Sequence, residues 1–227
     1  MATLLLILLI AGALYAPQLW ARHVLAKHSR ERSDLPGTGH ELASHLIRGL
    51  ELTGVTVELT DGGDHYDPQT RTVRLQRDYA DQRSLTSLVV ACHEVGHAIQ
   101  HAESFRPFEA RTRMVLGGQA VQKIGAGLMM ATPVLTLLTR SPKVGLLMVV
   151  GGLATLGTAS LVHLVTLPVE WDASFQRALP LMTANGWIAA EDASAAREIL
   201  TACALTYVAS SLASLLNLWR WLAILRR

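Results

Sequence analysis

The chain has 227 residues, of which 50% are hydrophobic, 5% aromatic and 17% charged, and its formal net charge is +2. So small a charge, with no basic stripe interleaved with aromatics, gives no ground for a nucleic-acid partner. Two cysteines far apart in apolar surroundings, Cys92 and Cys203, read as free thiols and exclude a disulfide framework. The mean hydropathy of +0.30 is high for a water-soluble domain and is distributed in blocks.

Residues 2–21, "ATLLLILLIAGALYAPQLWA", carry no charge, over about the length that crosses a bilayer as a helix. Arg22, Lys27, Arg30 and Arg32 follow this run instead of preceding it, which favours an uncleaved span over a signal peptide. Residues 38–50 place Leu42, Leu46 and Leu50 at helical spacing, and Gly54 follows as a stop. "VTVELT" (55–60) and "RTVRLQ" (71–76) are β-branched runs with alternation. The turn-forming "DGGDHYDPQT" between them predicts a hairpin or a loop-linked strand pair. Residues 84–103 predict one helix with Ser84 as its N-cap.

Two further apolar runs, 124–139 and 144–168, are separated only by "RSPK" and predict a tight transmembrane hairpin. Asn185-Gly186 stops a helix, and "EDASAAREIL" opens another with acid in its first turn. An Ala/Ser-rich run from 199 to 219 predicts a fourth span, bounded at 199–225. The expected fold is therefore a mainly α integral membrane protein, with about four transmembrane helices and a small cytoplasmic α+β catalytic unit. In this division residues 22–123 form the cytoplasmic region and 124–168 the hairpin. Residues 169–198 return to the cytoplasmic side. The basic residues after the first run, with Arg106, Arg111, Arg113 and Lys123 before the second, set this orientation. It leaves Arg140, Lys143, Arg226 and Arg227 on the far side, against the rule.

The stretch "LVVACHEVGHAIQH" (88–101) carries the chemistry. On a helix, positions four apart share a face, so His93 and His97 can direct both imidazoles at one ion. Glu94 lies roughly 100° round the helix, beside the ion, where it can act as general base towards a water. Chance alone gives His-Glu-x-x-His about 0.02 times in a chain of this composition. The flanking Val89, Val90, Ala91, Cys92, Val95, Ala98 and Ile99 are uncharged, as a buried metal helix requires. Gly96 keeps the helix slim for the approach of another backbone. A hydrolytic zinc takes three protein ligands and leaves one position for water. His101, His65, His163, Asp172 and Glu170 are candidates for the third. His101 lies two turns from His93, about 12 Å along the axis, too far to share an ion. His163 falls inside an apolar run, where a bundle hydrogen bond serves it equally well. Glu170 stands foremost, with Asp172 as its rival.

Four blocks, "DHYDPQTRTVRL", "VACHEVGHAIQH", "TLPVEWDAS" and "ALTYVASSLASLL", resemble in kind and order the YugP-type neutral zinc metallopeptidases of bacterial membranes. More distantly they resemble the HtpX and CAAX prenyl protease group of membrane zincins. The resemblance implies a single zinc held by His93, His97 and Glu170, with Glu94 as catalytic base. It aligns Ala173 and Ser174 with the Ala and Asp of a Glu-x-x-Ala-Asp motif, and Ser174 departs from that pattern. It further implies that "RTVRLQ" is a sheet edge able to pair with an extended substrate. Tyr207 and His163 are candidates for oxyanion or supporting contacts. The expected activity is that of a membrane-anchored zinc endopeptidase with a polypeptide substrate, membrane proteins included, and a lipid bilayer as partners. The competing expectation is a non-catalytic membrane scaffold or chaperone-like protein with a structural zinc.

Overall fold

A computed structural model describes residues 2–139, 151, 158, 161–162, 164–206 and 208–209. The chain opens with helix α1 (Ala2–Lys27) and helix α2 (Gly39–Gly49). Thr38 caps α2 by accepting from the Glu41 backbone N–H, while the Glu41 side chain accepts from the Thr38 N–H. Strands β1 (Thr56–Thr60), β2 (His65–Asp67) and β3 (Thr72–Gln76) follow, then the short α3 (Arg77–Ala80). Helix α4 (Leu85–Ala102) begins where predicted, with the Ser84 hydroxyl accepting from Ser87 N–H. Helix α5 (Arg106–Thr139) is continuous through the boundary expected at residue 123. Residues 164–171 are helical and pass into a π-helical segment, Asp172–Ala178. Helix α6 (Leu179–Ala184), a 3₁₀ turn (Ala190–Asp192) and a helix over 193–206 complete the described chain.

The strand prediction needs correction. The runs at 55–60 and 71–76 do not form a hairpin: β1 pairs with β3 in parallel. Parallel neighbours require a crossover, and the turn-rich connection supplies one that contains β2, antiparallel to β3. The Asp67 carboxylate shapes the β2–β3 turn by accepting from Gln69 N–H and the Thr70 hydroxyl. The order is β1-β3-β2, so "RTVRLQ" is the central strand and not an edge. Val73 and Leu75 share one face of β3 and are fully buried in the hydrophobic core.

The membrane architecture is also corrected: among the described residues, no helix is long and apolar enough to cross a membrane. The apolar part of α5 is confined to 124–139, shorter than the roughly 20 residues a span needs. Its first half carries Arg106, Glu109, Arg111, Arg113 and Lys123. The end of α1 carries Arg22 and Lys27, and Ala21 and Val24 are buried in the protein core. Most of the run expected at 144–168, and the fourth span beyond residue 209, lie outside the described residues.

Helix α4 is the axis of the core. Leu88, Val89, Ala91, Cys92 and Val95 have essentially no exposed surface. Helix α2 packs across the start of α4, where Gly39 N–H donates to Ser87 Oγ at 3.0 Å. The end of α1 is tied to the same point: Thr86 Oγ1 donates to Leu25 O at 2.8 Å and Thr86 N–H to His28 O at 3.2 Å. Lys27 and His28 both reach Glu198 on the 193–206 helix, each at 3.0 Å.

Candidate metal centre

His93, Glu94 and His97 are buried in the middle of α4, at 8%, 6% and 4% exposure. Facing them is Glu170, 1% exposed, at the end of the helix that leads into the π segment. The two elements approach closely because residue 96 is glycine. A Cβ there would lie 2.9 Å from the Ala173 carbonyl oxygen. The π segment keeps Glu170 and Ser174 on the side facing α4, and its i→i−5 bond from Leu179 N–H to Ser174 O departs from the α pattern.

The ligand atoms of His93, His97 and Glu170 all lie within 4.8 Å of one another. Glu170 Oε2 is 3.2 Å from His93 Nε2 and 3.4 Å from His97 Nε2. These separations exceed the about 2.7–2.9 Å of a good charge-assisted hydrogen bond, and they surround a common point. Glu170 Oε1 is buried without a hydrogen-bond partner. Arg111 Nη1 stands 3.3 Å from it, an ion pair by distance that lacks hydrogen-bond geometry. Burial pushes the Glu170 carboxyl up, but His97 and then His93 outweigh it and hold it well below the carboxylate range. The site thus calls for positive charge where the three donors meet. Two imidazoles and a carboxylate fit a first-row divalent ion such as zinc.

A second layer of contacts orients the ligands. Gln100, fully buried, donates its amide N–H₂ to Val169 O and to Asp172 Oδ2, both at 2.8 Å. That leaves Gln100 Oε1 facing His97 Nδ1 at 2.9 Å, so Nδ1 carries the proton and Nε2 is the atom free for an ion. Asp172 accepts in turn from Arg177 Nε at 2.6 Å, and Arg177 also pairs with Glu103. Ser174 Oγ lies 3.1 Å from His93 Nδ1 and does the same for His93.

Glu94 takes no part in the triad. Its carboxyl is pushed up to about 7, first by burial and further by Glu170 and Asp64, against the pull of His93 and Arg111. A buried carboxyl with that affinity can both take and release a proton near neutral pH.

The structure thus brings together His93, His97, Glu170 and Glu94. It sets the rivals elsewhere: Asp172 supports Gln100, His101 Nδ1 meets Tyr66 Oη at 2.9 Å, and His65 Nδ1 meets Gly63 O at 2.8 Å. His163 and Tyr207 lie outside the described residues. Sequence reasoning missed Gln100, Arg177 and Arg111. Gln100 carried one signal, its place one turn after His97 on the same helix face.

The family model described as "Putative neutral zinc metallopeptidase" matches residues 3–226. The "Putative membrane protease YugP" of Bacillus subtilis (strain 168) is 35% identical over 201 residues, 87% of this chain and 85% of that protein. No solved structure matches the chain significantly. With nearly the whole length matched and a buried triad able to hold a metal ion, the chain belongs to the family of "Putative neutral zinc metallopeptidase" proteins.

Proposed function

We propose that the chain is a membrane-associated, zinc-dependent endopeptidase of gluzincin type, with His93, His97 and Glu170 as ligands and Glu94 as general base. The observation that carries this reading is the convergence of two imidazoles and a buried carboxylate next to a second carboxylate that stays outside the triad. A zinc ion supplies, when bound, a Lewis acid for the scissile carbonyl and lowers the pKa of a water. Glu94 accepts the proton of the attacking water on its carboxylate. It then delivers that proton to the amine nitrogen as the C–N bond breaks, and the second proton of the water passes from the new carboxylic acid to the amine, which leaves a carboxylate and an ammonium. His93 and His97 are held in register by Ser174 and Gln100. A structural zinc site takes four protein ligands, whereas three donors converge among the described residues.

Membrane association is supported by the relative's name and by Ile124, Met130, Val134 and Leu138, all strongly exposed along α5. The test is cleavage of an unfolded protein such as casein by the purified chain, with chelator and with zinc restored. Zinc-dependent cleavage supports the reading. A zinc-loaded protein that cleaves neither casein nor detergent-solubilised membrane proteins overturns it.

A further inference from the structure

Resting on that reading, we infer that the substrate is selected by a single aliphatic side chain seated in a small, partly apolar pocket beside Glu94. A cavity of about 210 Å³ opens at His93 and Glu94. Its lining includes Leu25 from the end of α1, Val90 from α4, and Cys203 and Thr206 from the 193–206 helix, together with the core residues Ala21, Val89, Ile199 and Leu200. Pockets for drug-sized ligands measure about 300–1,000 Å³, so this one takes one side chain and not a larger group. Val90 is buried yet stands outside the contiguous apolar core, so its side chain borders the cavity instead of filling the interior. Among the described residues two carboxylates reach the lining, Glu94, assigned to catalysis, and Asp64, whose Oδ1 accepts from Gln76 N–H at 2.7 Å. Their charge repels an anionic side chain, and Leu25 and Val90 offer an aliphatic one its apolar contact. The two outer walls do not close by chance, because Lys27 and His28 both hold Glu198 and Arg32 holds Asp192 at 2.7 Å. The pocket is therefore formed before substrate arrives, which keeps its size selective.

The test is a peptide series varied at one position at a time across the scissile bond, cleaved by the zinc-loaded chain. One missing methylene in such a pocket is worth about 10–200-fold in kcat/KM. Leucine, isoleucine or methionine at one position is expected to exceed alanine by about 100-fold or more. Val90→Phe, which fills the cavity, should reverse the preference towards alanine and glycine. Leu25→Ala, which widens it, should admit phenylalanine. A second readout needs no turnover: the methyl resonances of Leu25, Val90, Ile199 and Leu200 in the metal-free protein should shift with the leucine peptide and not with its alanine analogue. If no peptide is cleaved but those methyls shift, the peptidase reading fails and the pocket stands. Cleavage without aliphatic preference, cleavage selective for lysine or arginine, or unshifted methyls overturn the pocket.

Discussion

Replacing Gln100 by leucine removes three hydrogen bonds, two of them buried, while leaving the proposed ligands in place. The lost contacts are to His97 Nδ1 at 2.9 Å and to Val169 O and Asp172 Oδ2 at 2.8 Å each. Asp172 keeps Arg177 at 2.6 Å, so it is not stranded. His97 Nδ1 is, and a buried unpaired group costs about 1–3 kcal/mol. The fold should therefore lose on the order of 1–3 kcal/mol. The imidazole of His97 also becomes free to turn, and loss of such an orienting contact typically weakens a metal site 10–100-fold. Zinc affinity is measured by competition with a chromophoric chelator, at a temperature where circular dichroism shows the variant folded. Zinc binding within about twofold of the unsubstituted chain would refute the idea that Gln100 holds His97 in its ligating orientation.

Gly96→Ala places a methyl 2.9 Å from the Ala173 carbonyl oxygen. Backbone faces backbone there, so the α4–π-segment contact must open, at about 1–3 kcal/mol; a melting temperature and zinc affinity both unchanged would contradict this. In the metal-free protein Glu94 titrates at about 7, above its unfolded value. The native state therefore holds the extra proton between about 4.5 and 7, and stability falls as pH rises through that window. Glu94→Gln should stabilise the metal-free protein at pH 8 relative to pH 5 by on the order of 3 kcal/mol, read from denaturant midpoints at the two values. Asp67 behaves oppositely. Burial raises its pKa, but Arg74 and the Gln69 and Thr70 contacts prevail and lower it to about 2. Its contribution is full above about pH 4 and vanishes as pH falls through 2. Asp67→Asn should cost about 1–2 kcal/mol at pH 7, discounted for partial exposure, and nothing near pH 2.

The metal helix was legible because its chemistry is local. His93 and His97 share a face by spacing alone, Ser84 caps the helix where a cap was predicted, and Gly96 marked the close approach that Ala173 makes. Glu170 needed more than spacing: it is 77 residues from His93, and the sequence motif around it, not its distance, singled it out. Ser174, which departs from the expected aspartate, still meets His93 Nδ1, because a hydroxyl oxygen also accepts from an imidazole N–H. The sheet was misread because β2 is only three residues long, too short for alternation to register among turn formers. With β2 unseen, the parallel pairing of β1 and β3 looked like a hairpin. Of the apolar runs, 2–21 leads into a helix end whose Ala21 and Val24 enter the protein core, and 124–139 continues a helix whose N-terminal part is charged, which uncharged length alone did not reveal.

The claim on which all else depends is that His93, His97 and Glu170 hold one ion with a position left for water. Zinc-edge X-ray absorption on the reconstituted protein tests it most directly, with ion stoichiometry measured on the same sample. One zinc per chain is predicted, in a shell of two imidazole nitrogens with the remaining ligands oxygen, at about 2.0–2.2 Å, and loss of one oxygen ligand in Glu170→Ala. Cys203 lines the same cavity as Glu94, so a sulfur neighbour at about 2.3 Å would be visible. A shell containing sulfur, or one unchanged in Glu170→Ala, would contradict the account.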